Sequence, residues 1–176
     1  MEEVIVGVSF GLLSALIVKR IKNAHIQKCD RAICVFDAEF SKIRGHVLIE
    51  TVDIGFTKFT CNISNLLPGK HGFHIHEKGD LREKCKNACA HYNPDKCVHG
   101  SAKSTIRHKG DLGNILADDN HECTDIIVAN VDINEIIGRS IVIHEKEDDL
   151  GLGNNEESLK TGNAGARIAC GVIGRL

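Results

Sequence analysis

His71-Gly72-Phe73-His74-Ile75-His76 sets three imidazoles among apolar residues over the length of one short strand. Residues two apart on a strand project from the same face, so His74 and His76 stand side by side, the natural start of a metal site. The stretch is not alone. His91, His99, His108 and Asp111 follow in a long polar segment, and His144 closes a second hydrophobic run. Around it the chain keeps the same period. Segments 31–36, 45–51, 56–63, 113–117, 125–131, 139–144 and 166–173 alternate apolar and polar residues, and turn residues separate them. With 71–76 they make eight short strands, which predict an all-β antiparallel sandwich or barrel. Residues 134–138 read as a short turn or helix. Two stretches break the pattern, 77–109 and 145–165. Loops of that length are usually functional. The first carries four candidate ligands and is expected to be ordered by metal. The second starts directly after His144 and is expected to lid the same site.

Composition narrows the function. The chain has 176 residues with one Tyr, no Trp and a net charge of −2. That length suits one domain with a proper core. Without a basic footprint or an aromatic platform, nucleic acid is excluded as a partner. Eight cysteines are present, and none forms a CxxC pair, so the zinc-ribbon and thioredoxin readings lack their motif. The chain is too large to need a disulfide scaffold. One structural disulfide and several free thiols are expected.

Residues 4–18, VIVGVSFGLLSALIV, are apolar or small throughout, with Glu2 and Glu3 before them and Lys19, Arg20 and Lys22 after. As a helix this run spans about 22 Å, short of the roughly 30 Å hydrocarbon core of a bilayer. The charges are reversed relative to a signal peptide, and no clean small-x-small cleavage site follows. A short uncleaved anchor fits best. A cleaved signal and a surface-docked helix are the alternatives, so the domain is membrane-tethered or secreted, or else cytoplasmic. The positive-inside tendency places it on the cytoplasmic side of a tether. The division drawn is 1–28, a hydrophobic segment with a basic linker, and 29–176, the folded domain.

Within that domain, His74, His76 and His144 supply imidazoles from two strands, with His91 a candidate fourth, a donor set that suits copper or zinc. His91, His99, His108 and Asp111 offer three imidazoles and a carboxylate, which closes a tetrahedral zinc shell. His91 belongs to both groups, and an imidazolate can bind one metal through each nitrogen.

The segments HGFHIHEKGD (71–80), HYNP (91–94), GDLGN (110–114), IGRSIVIHEKEDDLG (137–151) and NEESLKTGNAGARIACGVIG (155–174) resemble the copper/zinc superoxide dismutase family closely. The resemblance, rather than the strand count, implies an eight-stranded Greek-key barrel of immunoglobulin-like sandwich type. It implies one copper per subunit at His74, His76, His91 and His144, and one zinc at His91, His99, His108 and Asp111. Superoxide would be converted to oxygen and hydrogen peroxide by alternating reduction and reoxidation of that copper, with His91 supplying a proton. Arg167 matches the arginine that guides the anion, Asp148 the carboxylate linking a copper histidine to a zinc histidine, and His71 a supporting histidine under the copper strand. Cys85 and Cys170 match the family's intramolecular disulfide. Glu156, Glu157 and Lys160 are expected to shape the field at the entrance, in a family for which such steering is a known example. A homodimer and a copper chaperone as loading partner are also implied.

The chain departs from the family in places. Lys78 and Arg82 are unusual near the segment that packs against a partner subunit. Leu152 and Leu159 replace residues that are often polar, and Ala90 replaces a proline. Cys89 and Cys97 are additional thiols in the first long loop, open to a second disulfide or to metal and expected to be idle. Cys34 reads as a small buried hydrophobe. His25, His46 and His121 match no ligand position. The rival readings are a copper-delivery protein and a copper-binding module on the same fold without dismutase activity. The complete ligand set and the absence of CxC or MxCxxC motifs oppose them.

Overall fold

The computed structural model describes residues 29–176. The expected helix and membrane contact of residues 4–18, and His25, lie outside the described residues. Nine strands follow in order: β1 (Arg31–Phe36), β2 (Arg44–Asp53), β3 (Phe56–Ser64), β4 (Gly69–His76), β5 (Asp111–Ala117), β6 (Glu122–Cys123), β7 (Ile126–Asn130), β8 (Ser140–His144) and β9 (Arg167–Arg175). One more strand is present than the eight expected, because the two-residue β6 pairs with the end of β3 just before β7 begins. Among the described residues there are two single-turn helices, α1 (Ile133–Ile136) and α2 (Ser158–Thr161), with a 3-10 turn at Lys86–Ala88.

Every pairing is antiparallel, in the spatial order β5-β4-β8-β9-β1-β2-β3-β6, with β7 also on β3. The connections β3–β4 and β7–β8 cross from one side of the barrel to the other. The remaining gap is bridged where the Leu116 N–H donates to Asp125 Oδ2 at 2.6 Å.

Alternation works as expected on β1 and β3, where Ala32, Cys34 and Phe36, and Thr57, Phe59, Cys61 and Ile63, point inward. It fails on β4 and β8, which are buried on both faces. Phe73, Ile75, Ile141 and Ile143 enter the main core. On the other face, Val142 packs with Cys85, Ala88 and Cys170. A strand buried on both sides needs an outer cover, and the two long loops provide it.

The first loop is tied down by a disulfide between Cys85 and Cys170, 85 residues apart in sequence. Closing so long a loop stabilises the fold by about 4–5 kcal/mol in the chain-entropy model. The other six cysteines, Cys89 and Cys97 among them, are free. Cys34 is fully buried, and burial pushes its thiol up to about 12. His46 and His121 are exposed, as expected.

Reducing the Cys85–Cys170 bond, or replacing both cysteines with Ser, is expected to cost about 2–5 kcal/mol. A melting point within about 2 °C of the parent by calorimetry would show that the bond does not hold the loop.

Candidate metal centre

Two clusters of ligand-type side chains lie on the outer face of β4 and β8, under the long loops. In one, His74, His76, His91 and His144 bring ring nitrogens within 4.8 Å of one another. In the other, His91, His99, His108 and Asp111 do the same. All seven residues are buried.

The orientation of each ring follows from what its outer nitrogen touches. His74 Nε2 lies 2.8 Å from Asp148 Oδ2, His76 Nδ1 2.8 Å from the Cys89 carbonyl, and His144 Nδ1 3.1 Å from the Gly165 carbonyl. Each of those nitrogens must donate, because its partner can only accept. A neutral imidazole has one N–H, so His74 Nδ1, His76 Nε2 and His144 Nε2 present bare lone pairs inward. His91 turns Nδ1 to Asp111 Oδ1 at 2.9 Å and leaves Nε2 facing the same point. His74 Nδ1 and His91 Nε2 are fully buried with no hydrogen-bond partner, and His76 Nε2 faces His144 Nε2 at 3.3 Å. Four converging lone pairs repel one another in a buried site, and a cation removes the conflict. The donor set therefore fits a metal.

In the second cluster three Nδ1 atoms converge on Asp111 Oδ1: His91 at 2.9 Å, His99 at 3.0 Å and His108 at 3.1 Å. The His99 contact lacks hydrogen-bond geometry, and its Nδ1 is another unpartnered buried atom. Asp111 Oδ2 accepts from the backbone N–H of Gly100 and of His108, which fixes the carboxylate. Three imidazoles and a carboxylate match a closed zinc shell.

Asp148 couples the clusters. Its Oδ2 accepts from His74 and its Oδ1 from His99 at 2.7 Å. Asn114 grips its backbone on both sides, donating to the carbonyl and accepting from the N–H. Asn114 lies in the GDLGN segment, but no chemistry in the residue type alone announces this role. Gly162 was likewise not singled out. Its φ is +67°, and a Cβ there would stand 1.9 Å from Asp148 Oδ1 and 2.5 Å from His99 Nε2. Only glycine lets the second loop close over that hydrogen bond.

Burial sets most of the electrostatics. It pushes the His144 ring down to about 4, and it pushes His74 and His76 well below the ordinary imidazole value, aided by neighbouring rings. Burial also opposes the charged form of His99, but Asp111 and Asp148 outweigh it and raise that ring to about 9. Burial opposes ionisation of Asp111 too, yet hydrogen bonds from His108 and His91, with the His99 ring close beside, hold it well below the usual carboxylate range.

A cavity of about 260 Å³ opens from the first cluster to solvent, lined by His76, His91, His144, Glu157, Lys160 and Arg167, with Thr161 and Asn163 beside them. The Arg167 guanidinium donates to the carbonyls of Cys85, Lys86 and Cys89. The disulfide loop thereby holds its charge at the cavity wall. Glu156 pairs with Lys160 at 3.3 Å, and Glu157 accepts from the Thr161 hydroxyl. His71 lies between the carbonyls of Leu67 and His144, tying the turn before β4 to the end of β8. The structure thus gathers the seven ligand candidates into the two clusters and puts Glu157, Lys160 and Arg167 on the cavity wall, with Glu156 outside its lining. Leu152 and Leu159 are exposed, and Arg82 is paired with Asp80 at 2.6 Å.

The fold and the two clusters define a class, a β-barrel metalloprotein with paired imidazole-rich sites on its outer face. The family model for copper/zinc superoxide dismutase (SODC) matches residues 43–173. An extracellular Cu-Zn superoxide dismutase of Drosophila melanogaster is 46% identical over 158 residues, covering 87% of each chain. A Cu-Zn superoxide dismutase of Paramecium bursaria Chlorella virus 1 is 45% identical over 172 residues, covering 95% of this chain and 90% of that one. A solved structure, that of the clock protein EA4, superposes with a TM-score of 0.82 at 42% identity, covering 88% of this chain and 99% of the other. The chain belongs to the copper/zinc superoxide dismutase family.

Removing the Asp148 carboxylate frees one nitrogen in each cluster. Asp148→Ala is expected to weaken metal binding at both by about 10–100-fold in chelator competition. Loss at one cluster alone would show that the carboxylate does not couple them.

Metal removal also has a signed pH effect. With His74, His76 and His144 depressed, the unfolded chain binds more protons than the folded one below about pH 6.5. Their contribution is full above that pH and is lost on acidification, for His144 down to about 4. His99 acts oppositely, its contribution being full below about 6.5 and lost as pH rises through about 9. Burial depresses His91 in the same direction, and four rings against one predict a lower urea midpoint for the metal-free protein at about pH 5 than at about pH 7. Equal midpoints would refute the burial of these rings.

Proposed function

We propose that this protein disproportionates superoxide to oxygen and hydrogen peroxide, with copper held by His74, His76, His91 and His144 and zinc by His91, His99, His108 and Asp111. The observation that carries the reading is the set of four converging imidazole nitrogens, three of whose rings line a cavity whose wall holds Arg167. Copper supplies one-electron chemistry in both directions when bound, and zinc supplies fixed charge and geometry.

The chain's own residues do the rest. Arg167 attracts and orients a small anion at the cavity floor. Lys160 adds positive potential at the mouth, where Glu156 and Glu157 temper it. His91 Nε2 can hold a proton beside the bound anion and release it, while Asp111 keeps Nδ1 engaged and the ring in place. Asp148 and the Cys89 carbonyl fix His74 and His76, so the donor atoms move little between turnovers.

Two wider aspects belong to this reading. Val35 on β1 and Val172 on β9 are exposed large apolar residues on neighbouring strands, and this face supports a homodimer, with Lys78 at its edge. Residues 4–18 engage a membrane, and the extracellular relatives favour export of the folded domain. A copper chaperone is the proposed loading partner.

Metal content by mass spectrometry, paired with a superoxide assay, tests the central reading: dismutation that tracks copper supports it, and inactive copper-replete protein overturns it. Arg167→Ala is expected to lower the second-order rate by about tenfold and to flatten its salt dependence in pulse radiolysis. His144→Ala is expected to lose activity and keep zinc, and loss of zinc first would reverse the assignment of ligands. Sedimentation equilibrium tests the dimer, which Val172→Asp is expected to dissociate.

A further inference from the structure

We propose that the barrel end formed by Val52, Ile54, Phe56 and Leu176 rests against an anionic lipid surface. The inference depends on the reading that residues 4–18 engage a membrane, and it assigns the part of the folded domain that touches the bilayer.

Several independent contacts locate the place where the chain leaves the barrel. The Asp30 carbonyl accepts from the Thr51 N–H, Arg31 pairs in register with Glu50, and the Leu176 N–H donates to the Arg31 carbonyl. Asn134 exchanges hydrogen bonds with the Cys29 backbone. Residue 29 therefore sits beside the β2–β3 turn and the C-terminus, at one end of the barrel.

That end exposes large apolar side chains among the charged Asp30, Arg31, Asp53 and Arg175. Ile54 is 90% exposed and Leu176 64%, with Val52 and Phe56 also exposed next to them. Asp53, between Val52 and Ile54, turns its carboxylate back on the Ile54 N–H at 2.7 Å. Phe56 and Val128 continue the apolar surface into a groove of about 580 Å³, whose other wall carries Lys103 with Asp95, a buried Arg107 bonded to backbone carbonyls, and Lys109 paired with Glu135 at 2.9 Å. Exposed apolar side chains beside cations suit a surface of acyl chains and anionic headgroups.

The adjoining sequence decides what covers this end. Residues 4–18 are apolar on every side, so a patch of a few side chains cannot cover them, whereas lipid can. Residues 19–28 carry Lys19, Arg20, Lys22 and Lys28 and no acid. Even fully extended they reach at most about 36 Å, so the exit end is the part of the barrel held nearest the headgroups. A run too short to span the hydrocarbon comfortably gains from added contacts at the tip. The catalytic cavity is left clear, because Arg167 and Arg175 stand at opposite ends of β9.

The absence of Trp makes the test site-specific. Ile54→Trp and Leu67→Trp are made separately in the full chain; position 67 is exposed and lies beyond the far end of β3. Each protein is mixed with phosphatidylcholine vesicles, with and without about 30% phosphatidylserine, and with brominated lipid as quencher. The full chain is expected to co-sediment with the anionic vesicles. Ile54→Trp emission should shift to the blue and be quenched, and Leu67→Trp emission should not change. Val52→Asp with Ile54→Asp is expected to weaken binding by about tenfold while circular dichroism and metal content stay as in the parent. If the full chain binds but Ile54→Trp is not quenched, or the double variant binds like the parent, the tip assignment is overturned and the tether stands. If the full chain stays in the supernatant, the tether fails and the tip assignment with it.

Discussion

The carboxylate of Asp148, shared between His74 and His99, is the constraint on which both clusters depend. It sets which nitrogen of each ring carries the proton, and so which nitrogen is free to face inward. Imidazole is a ligand only through a bare nitrogen, and in a buried site the bare nitrogen is chosen by the partner of the other one. The carbonyls of Cys89 and Gly165 make the same choice for His76 and His144. Unpartnered polar atoms that would be costly defects in an ordinary core are here the functional feature.

That arrangement demands dryness and rigidity, and the barrel alone supplies neither on its outer face. The two long loops do. The first is stapled to β9 through Cys85–Cys170 and gripped by Arg167 on three of its carbonyls. The second is closed over Asp148 through Asn114 and the glycine at 162. Arg167 therefore has two tasks. It organises the loop that holds His76, and it leaves its charge at the cavity wall. The residue proposed to guide an anion thus also holds the loop that positions His76.

Seen along β9, the molecule has two unlike ends. One opens at Arg167 through a polar, charged cavity; the other ends at Arg175 and Leu176 amid exposed apolar side chains and the exit toward residue 28. Chemistry on a small diffusing anion needs the first end in free solution. The chain enters the barrel at the second end, beside Cys29, so a tether proposed there would not obstruct the cavity.

Much of this was legible from residue order alone. Strand periodicity located eight strands within a residue or two, because a half-buried antiparallel strand writes its inner face into the sequence. The candidate ligands were legible because His74, His76, His91, His99, His108, Asp111 and His144 are chemically distinctive, and the structure gathers them into two buried clusters. The pairing of Cys85 with Cys170 came from family resemblance, since eight cysteines leave many pairings open. Tertiary structure alone decided the rest. The burial of β4 and β8 on both faces, the grip of Asn114 on Asp148, the small residue required at 162 and the apolar barrel end all depend on segments far apart in the chain. A side chain's type states what it can bond to, but which partner reaches it, and from which side, is settled only when the loops fold over the barrel.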